Sequence, residues 1–186
     1  MRCCCANLFL CLAVSLWVAA AEAGPDLVFR DLDGTPRCPT DPAEKLASVL
    51  VFFWQDCPIS NGYAPELNRI AGSHSKFAFY IVQVDPDLTP VAAKEHARQY
   101  DLCVPVLLDP EHQLVKLTKA TVTPEAVVLG KGGQVLYRGR IDDNYTALGM
   151  KRLAARKHDL AEALAAIAAG RPVKEKETQA VGCLIQ

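Results

Sequence analysis

Cys57 lies where an apolar run meets a segment with helical spacing, in the stretch "VFFWQDCPISNGYAPEL". A cysteine just before a helix faces the free N–H groups of the first turn and the positive end of the helix dipole. Both favour the thiolate, which lowers the thiol pKa and makes the sulfur a nucleophile near neutral pH. The alternative, a half-buried structural cysteine, is less consistent with the flanking Asp56 and Pro58, which are typical of a turn.

A cysteine that exchanges disulfides needs a second thiol to release the mixed disulfide formed with its substrate. Ser60 occupies the position three residues after Cys57, where such a thiol is expected. Cys183, near the C-terminus, is the candidate replacement. The polar tail of some 14 residues that carries it would span roughly 45 Å when extended, so reach is no obstacle. The composition "KEKET" predicts a mobile, solvated tail.

The other cysteines are weaker candidates. The chain has eight cysteines, and four of them fall in the first 23 residues. Of the rest, Cys103 is expected to be a small buried residue at a strand start, whereas Cys38 lies in a polar turn as a disulfide partner or an exposed thiol. Four cysteines can pair in three ways, and the sequence does not choose among them.

No cofactor or metal is expected: Met150, His158 and Cys57 could form a soft copper site, but one cysteine in place of two weakens that interpretation. The four histidines are His74, His96, His112 and His158; they lack a metal-binding spacing, and solvated or capping roles are expected for them. The formal net charge of −1 gives no indication of a nucleic-acid partner.

These chemical groups must be positioned by alternating strands and helices. Continuous apolar runs at 48–54 and 77–84 predict strands buried on both faces, and helical spacing between them predicts a helix that follows Cys57. Thr89 and Pro90 predict a helix over roughly 90–100, and residues 104–108 form a short apolar strand.

The second half continues the alternation. Asp109 and Pro110 give the start signal for a helix to about Thr118, and "EAVVLGKGGQVLYRGRI" predicts a hairpin around its turn glycines. Asp159 and Glu162 fit a capping box for a last helix that Gly170 ends. This pattern predicts an α/β fold with its catalytic groups at the carboxyl ends of the central strands.

The first 23 residues have the features of a secretory signal peptide: an early positive charge, a short apolar run and small residues at the expected cleavage site. We therefore expect a signal peptide at 1–23, one domain at 24–171 and a polar tail at 172–186. The mature protein would be secreted or periplasmic and would contain no membrane span.

The stretch "FFWQDCPIS", followed later by "VTPEAVVL", resembles the thioredoxin-like redoxin superfamily, which includes peroxiredoxins and extracytoplasmic thiol-disulfide oxidoreductases. The resemblance covers nearly the whole mature chain. It implies a thioredoxin-like fold, a central mixed β-sheet flanked by helices, with a redoxin-type insertion at 88–108.

The resemblance also implies roles for single residues. Cys57 matches the nucleophile and Ser60 replaces the second cysteine. Thr123 and Pro124 match the threonine and cis-proline that lie beside the nucleophile and hold the substrate backbone. The expected wall of the active site consists of Trp54, Pro58, Ser60, Thr123, Pro124, Arg138 and Arg140.

Peroxiredoxins place a threonine or serine three residues before the cysteine and a proline seven before it, but this chain has Trp54 and Leu50 there. The peroxide-activating pocket is therefore not visible, although Arg138 or Arg140 could supply a positive charge near the sulfur.

Three functions follow as hypotheses. The first is an extracytoplasmic thiol-dependent oxidoreductase that uses Cys57 on disulfides or other oxidised substrates, with Cys183 or an external thiol as the resolving group and an external thiol as reductant. The second is a thiol peroxidase in which Cys57 becomes a sulfenic acid. The third is a non-catalytic binding module that uses Thr123 and Pro124 to hold a partner or a metal.

Overall fold

The computed structural model describes residues 27–186. The predicted signal peptide at 1–23 lies outside these residues. In chain order the strands are β1 (Phe29–Arg30), β2 (Pro36–Arg37), β3 (Ser48–Phe53), β4 (Ala78–Gln83), β5 (Val106–Leu108), β6 (Val122–Thr123), β7 (Glu125–Leu129), β8 (Val135–Gly139), β9 (Tyr145–Ala147), β10 (Met150–Lys151) and β11 (Cys183–Leu184). The helices are α1 (Pro58–Ser73), α2 (Pro90–Gln99), α3 (Gln113–Thr118) and α4 (Asp159–Ala168).

The central sheet has five strands in the order β5-β4-β3-β7-β8. Strand β3 lies at its centre, parallel to β4 and antiparallel to β7, with Val51 opposite Ile81 on one side and Ala126 on the other. All six residues of β3 are buried, as its continuous apolar sequence predicts. The predicted α/β class and the mixed sheet are therefore confirmed.

Two apolar clusters cover the two faces of the sheet, because successive side chains of β3 point to opposite sides. One cluster contains Val51 and Phe53 and includes residues of α1 and α4. The other contains Leu50 and Phe52 and includes residues of α3. The strand that ends just before Cys57 is thus fixed on both faces.

Helix α1 begins directly after Cys57. Pro58 occupies its first turn, where a missing N–H costs nothing. Tyr63, Leu67 and Ile70 are buried on the face that packs against the sheet. The rigid pairing of β3 with α1 therefore sets the position of Cys57.

Helix α3 begins at Gln113, four residues later than the start predicted at Asp109. The Asp109 side chain is buried, and its carboxylate accepts hydrogen bonds from the N–H groups of Gln113, Leu114 and Val115 at 2.7, 3.0 and 3.1 Å. Asp109 thus satisfies the free N–H groups of the helix from outside its first turn. The strand before it, β5, begins at residue 106 rather than 104.

The capping box predicted for the last helix is wrong. Asp159 lies inside the first turn of α4, His158 precedes the helix, and no side chain caps it. The Asp159 carboxylate instead binds the guanidinium of Arg140. The predicted end of the helix is confirmed, since Gly170 has a φ of +64° and the Arg171 N–H donates to the Ala166 carbonyl at 2.9 Å.

The C-terminal tail is docked, which corrects the prediction of a mobile, solvated tail. Glu177 forms a bridge with Arg138 of β8, and β11 pairs antiparallel with β6, with Cys183 opposite Thr123. Backbone pairing of this kind needs few apolar side chains, so the polar composition of the tail did not reveal it.

Residues 27–186 include no helix that is both long enough and apolar enough to cross a membrane.

Candidate active site

Cys57 lies in the turn between β3 and α1, at the carboxyl end of the central strand. Its N–H donates to the Trp54 carbonyl at 2.9 Å, and its carbonyl accepts from the Asn61 N–H at 3.1 Å. Its residue surface is only 1% exposed. Cys57 is therefore held at the start of the helix, as the sequence predicted, but it is fully covered, which the sequence did not predict.

Thr123 and Pro124 lie directly against this cysteine. The peptide bond between them is cis, as the resemblance implied, and both residues are buried. The Cys57 thiol donates to the Thr123 carbonyl at 3.1 Å.

Cys183 also lies against the Cys57 sulfur, on the strand that pairs with Thr123. Its position on β11 brings the two Sγ atoms to 2.7 Å from each other. All four cysteines of residues 27–186 are free thiols. A disulfide bond of about 2.05 Å would require only a small approach of these two sulfurs.

The pKa of Cys57 lies below that of an ordinary cysteine. Burial alone would raise it, but hydrogen bonds donated to the sulfur by the thiol of Cys183, by the Ser60 hydroxyl and by backbone N–H groups lower it by more. Ser60 is completely buried, and its hydroxyl has no hydrogen-bond partner within the usual distance, so it remains available to the Cys57 sulfur. Ser60 thus favours the thiolate form of Cys57, at the position where a second cysteine would have resolved a mixed disulfide.

The pKa of Cys183 moves in the opposite direction. Burial raises it, and the hydrogen bond and negative charge of Cys57 raise it further, to about 11. The thiolate is therefore favoured at Cys57 and disfavoured at Cys183. Of the two sulfurs, Cys57 is thus the one whose environment favours the nucleophilic form.

Trp54 lies three residues before Cys57, and its carbonyl accepts the Cys57 N–H. Its ring packs against both apolar clusters and lines a cavity of about 190 Å³ together with Val84, Asp85 and the tail residue Ile185. The indole N–H is buried without a hydrogen-bond partner. Pro58, at the start of α1, is exposed.

The expectation that Arg138 or Arg140 places a positive charge near the sulfur is not met. Arg140 pairs with Asp159 at 2.7 Å. The Arg138 guanidinium binds the Glu177 carboxylate and the Thr118 carbonyl, so Arg138 fastens the tail to β8. No basic side chain contributes to the lowered pKa of Cys57.

The remaining candidates lie away from the two sulfurs. Cys103 is exposed, and its thiol donates to the Asp101 carbonyl, so the expectation that it is buried was wrong. Cys38 is half-buried beside Thr40. His96 is buried between Gln83 and Asn61 rather than solvated, and burial lowers its pKa.

One group of possible metal ligands occurs within residues 27–186. Ligand atoms of Glu66, Asp142 and His158 lie within 4.8 Å of one another. Arg69 binds both oxygens of Glu66, and Tyr63 donates to Asp142 at 2.5 Å. These carboxylates therefore already have protein partners.

The sequence did not reveal how the tail is held beside Cys57. Gly182 packs so closely that an added Cβ would overlap the Thr123 carbonyl, and Thr178 packs against Gly139 in the same way. A glycine directly before a cysteine was the one signal present, and it permits such a close approach without identifying it.

A mixed sheet with a buried cysteine at the start of a helix and a cis-proline against its sulfur defines a thioredoxin-like redoxin. Residues 22–138 match the AhpC/TSA family, and the chain belongs to this family. The matched residues include Cys57 and Pro124 and end before the tail that carries Cys183.

Curated relatives include thiol-disulfide oxidoreductase ResA of Bacillus thuringiensis, which is 27% identical over 116 residues. That match covers 62% of this chain and 66% of the relative's length, slightly under two thirds. An uncharacterized conserved protein from Geobacillus kaustophilus has a similar structure, with a TM-score of 0.76, 25% identity and coverage of 89% of this chain and 90% of its own.

A secreted disulfide oxidoreductase of Mycobacterium tuberculosis has the same fold. Its TM-score is 0.56 at 20% identity, and the match covers 76% of this chain and 96% of that protein. These likenesses show the thioredoxin-like fold.

Proposed function

We propose that this protein is an extracytoplasmic thiol-disulfide oxidoreductase in which Cys57 attacks the substrate and Cys183 resolves the intermediate. The observation that carries the proposal is the contact of the two sulfurs at 2.7 Å, with the Cys57 pKa lowered and the Cys183 pKa raised. The similarity to ResA supports the same class of reaction.

The first step is attack of the Cys57 thiolate on one sulfur of a substrate disulfide. A bond forms between Cys57 Sγ and that sulfur, the substrate S–S bond breaks, and the other substrate sulfur leaves as a thiolate that takes up a proton. The Ser60 hydroxyl and the N–H groups at the start of α1 stabilise the thiolate before it attacks.

The second step releases the substrate. Once Cys57 is bonded to a substrate sulfur it has no negative charge, so two of the causes that raise the Cys183 pKa are removed. Cys183 then loses its proton and its thiolate attacks Cys57 Sγ; the bond between Cys57 and the substrate breaks, and the second substrate sulfur leaves as a thiolate that takes up a proton. The substrate disulfide has gained two electrons, and the protein holds a Cys57–Cys183 disulfide that an external thiol reductant must reduce.

The proposed location rests on the signal-peptide pattern at 1–23. A disulfide reaction outside the cytoplasm agrees with it, because protein disulfides persist there. One protein of the same fold is described as secreted.

The test is reduction of a disulfide substrate, such as the interchain disulfides of insulin, by the chain from residue 24 onward with dithiothreitol as reductant. We expect Cys57→Ser to be at background and Cys103→Ser, which changes an exposed cysteine away from the site, to match the wild-type rate. Equal rates for the wild type and Cys57→Ser would contradict the proposal.

The same samples distinguish the two other hypotheses. Rapid consumption of a hydroperoxide that depends on Cys57, without disulfide reduction, would establish a thiol peroxidase. A Cys57 that is inert towards both oxidants would indicate a binding module.

A further inference from the structure

We infer that the hairpin of β9 and β10 docks this protein on the surface of a bilayer that contains anionic lipid. The hairpin is not part of the thiol site, so this inference goes beyond the proposed function and does not depend on it. The occupant of the hairpin is defined by its chemistry, an apolar layer beneath a layer of negatively charged phosphates.

Both faces of the hairpin are open to solvent. Residues 146–151 are all exposed. Within residues 27–186, eight large apolar side chains are exposed, and three of them, Leu148, Met150 and Leu153, fall within six consecutive positions. Scattered apolar side chains on a surface are normal, but a cluster of them on an exposed element indicates a site of interaction.

The end of the hairpin is apolar. Ala147 pairs with Met150, so a two-residue turn of Leu148 and Gly149 joins the strands. The Leu148 and Met150 side chains at this end are 67% and 62% exposed. The three residues of β9 extend roughly 10 Å at about 3.4 Å each. This length is comparable with the depth of about 5–10 Å at which interfacial elements bury apolar side chains in a bilayer.

The hairpin and the segment that follows it are positively charged. Residues 145–157 contain four basic residues and no acidic one, in a chain whose formal net charge is −1. These basic residues are Lys151, Arg152, Arg156 and Lys157. Charge complementarity therefore favours a negatively charged partner surface.

Asp143 holds the basic residues at the base of the hairpin. Its carboxylate accepts the N–H groups of Arg156 and Lys157 at 2.6 and 2.9 Å. Its carbonyl accepts a hydrogen bond from Arg152 Nε at 3.0 Å. The segment after β10 is thereby folded back, with its charges behind the apolar end.

Two of the four charges are free of carboxylate partners. Arg152 lies 3.6 Å from Asp143, and Lys157 lies 4.0 Å from Glu175. Within the described part of the chain, Lys151 and Arg156 form no ion pair. Lys151 and Arg156 are therefore the charges most available to lipid phosphates.

The hairpin is fixed to the body of the protein through Tyr145. The Tyr145 ring packs on the ring of Tyr63 in α1, with 5.2 Å between the ring centres. The Lys151 ammonium lies 5.2 Å from the centre of the same Tyr145 ring. Because the apolar end and the charges are held in place, binding orders few further groups.

An apolar end in front of a cationic base matches the layers of an anionic bilayer. Apolar side chains enter the boundary of the acyl chains, while Lys and Arg remain at the level of the phosphates. Each basic residue near such a surface strengthens binding about fivefold. A stable protein interface needs about 20–30 residues on each side, far more than this hairpin provides. The observations therefore favour a bilayer over a protein partner.

The test measures co-sedimentation of the complete chain from residue 24 onward with lipid vesicles. Vesicles of phosphatidylcholine and phosphatidylglycerol at about two to one are compared with vesicles of phosphatidylcholine alone. We expect the wild type to partition onto the anionic vesicles at least about tenfold more strongly, and to lose most of this binding in about 0.5 M salt. Absence of binding to anionic vesicles, or equal binding to both kinds, would overturn the inference.

Two variants test whether the hairpin causes the binding. Leu148→Ser combined with Met150→Ser removes the apolar end, and Lys151→Gln combined with Arg156→Gln removes two charges. All four side chains are exposed, so unfolding in urea should be unchanged. Each variant should partition onto anionic vesicles at least about tenfold more weakly. Wild-type binding by either variant would contradict the inference, since both layers are required.

Matched controls make the same kinds of change elsewhere. Val28 and Val91 are 67% and 79% exposed, so Val28→Ser combined with Val91→Ser removes a similar apolar surface. Lys131→Gln combined with Lys174→Gln removes two exposed charges. Both controls should bind anionic vesicles like the wild type. Losses equal to those of the hairpin variants would show that the hairpin has no special role.

Insertion of the apolar end is observed with Leu148→Trp. Trp54 is the only other tryptophan after residue 23. The emission of Leu148→Trp should shift to shorter wavelength with anionic vesicles, whereas that of the wild type should not shift. Emission of Leu148→Trp that does not move would contradict insertion.

Two results would assign the hairpin to another occupant and overturn the inference. Self-association of the wild type that Leu148→Ser with Met150→Ser abolishes would identify a second copy of this chain. Binding to polyglutamate without binding to vesicles would identify an acidic segment of a protein.

The same variants separate this inference from the proposed function. Cys57→Ser should bind vesicles like the wild type, and both hairpin variants should reduce insulin at the wild-type rate. Vesicle binding without Cys57-dependent reduction would overturn only the proposed function. Loss of insulin reduction in the hairpin variants would assign the hairpin to the thiol site and overturn the present inference.

Discussion

Two cysteines that lie 126 positions apart in the chain share one reactive site, and each alters the pKa of the other. Cys183 donates the hydrogen bond that lowers the pKa of Cys57, and the charge of Cys57 helps to raise that of Cys183. This coupling favours the thiolate at Cys57 and the thiol at Cys183, in agreement with the roles proposed for them.

The first prediction concerns this hydrogen bond. The midpoint of Cys57 alkylation against pH should lie below the value of about 8.5 of a free thiol. Cys183→Ala removes the donor and should move the midpoint to higher pH. Cys183→Ser retains a hydroxyl donor and should give a midpoint between those of the wild type and Cys183→Ala. Identical midpoints in all three proteins would show that Cys183 does not stabilise the thiolate.

The second prediction uses Ser60. We expect Cys183→Ser to lose multiple-turnover insulin reduction and to accumulate the mixed disulfide, since no second thiol remains near Cys57. Adding Ser60→Cys to this variant places a thiol next to Cys57 and should restore turnover. Ser60→Ala in the same background is the control and should remain inactive. Full turnover by Cys183→Ser alone would show that an external thiol resolves Cys57.

Among single residues, the sequence revealed those whose neighbours along the chain define their role. Cys57 could be predicted from its place before a helix, and Pro124 from the resemblance. The burial of His96 and the exposure of Cys103 depend on packing between distant segments, which local pattern does not contain. The role of Arg138 was missed because its partner, Glu177, lies in a tail expected to be mobile.

Among elements, long apolar or periodic segments were predicted well, and short ones were not. Strand β3 and helix α1 follow from continuous apolar sequence and helical spacing. Strands β6 and β11 have two residues each and are held by backbone hydrogen bonds that leave almost no sequence signal. The site is assembled from both kinds of element, so the sequence named Thr123 and Cys183 as candidates but did not predict the paired strands that position them.

The third prediction concerns the start of α3. The buried Asp109 carboxylate accepts three backbone N–H groups, and Asp109→Ala would leave them unsatisfied. We expect a loss of about 1–3 kcal/mol in the free energy of unfolding, measured by urea denaturation. Asp109→Asn keeps one acceptor oxygen and should lose less. A stability loss in Asp109→Ala no greater than in Asp109→Asn would contradict this role.

At the scale of the whole molecule, the tail returns to the centre of the domain and brings Cys183 next to Cys57. A Cys57–Cys183 disulfide would connect the central strand to the C-terminus and enclose most of the described chain. Such a bond restricts the conformations of the unfolded chain and so stabilises the fold. By thermodynamic linkage, folding in turn favours formation of the disulfide by the same free energy.

The fourth prediction follows from this closure. The oxidised chain should unfold with a free energy about 2–5 kcal/mol larger than that of the reduced chain, as measured by urea denaturation of both forms. Cys183→Ser treated with the same oxidant should show no gain, because it cannot form the bond. A gain of equal size in Cys183→Ser would assign the effect to another cysteine pair.

The most direct test of the proposed pair is mass mapping of non-reduced peptides after a single turnover with a disulfide substrate. The reduced chain from residue 24 onward is mixed with one equivalent of substrate, quenched with acid and digested. We predict one cross-link, between the peptides that contain Cys57 and Cys183, together with fully reduced substrate. Cys57 found free, paired with Cys38 or Cys103, or still bonded to the substrate while Cys183 remains a thiol would contradict the mechanism.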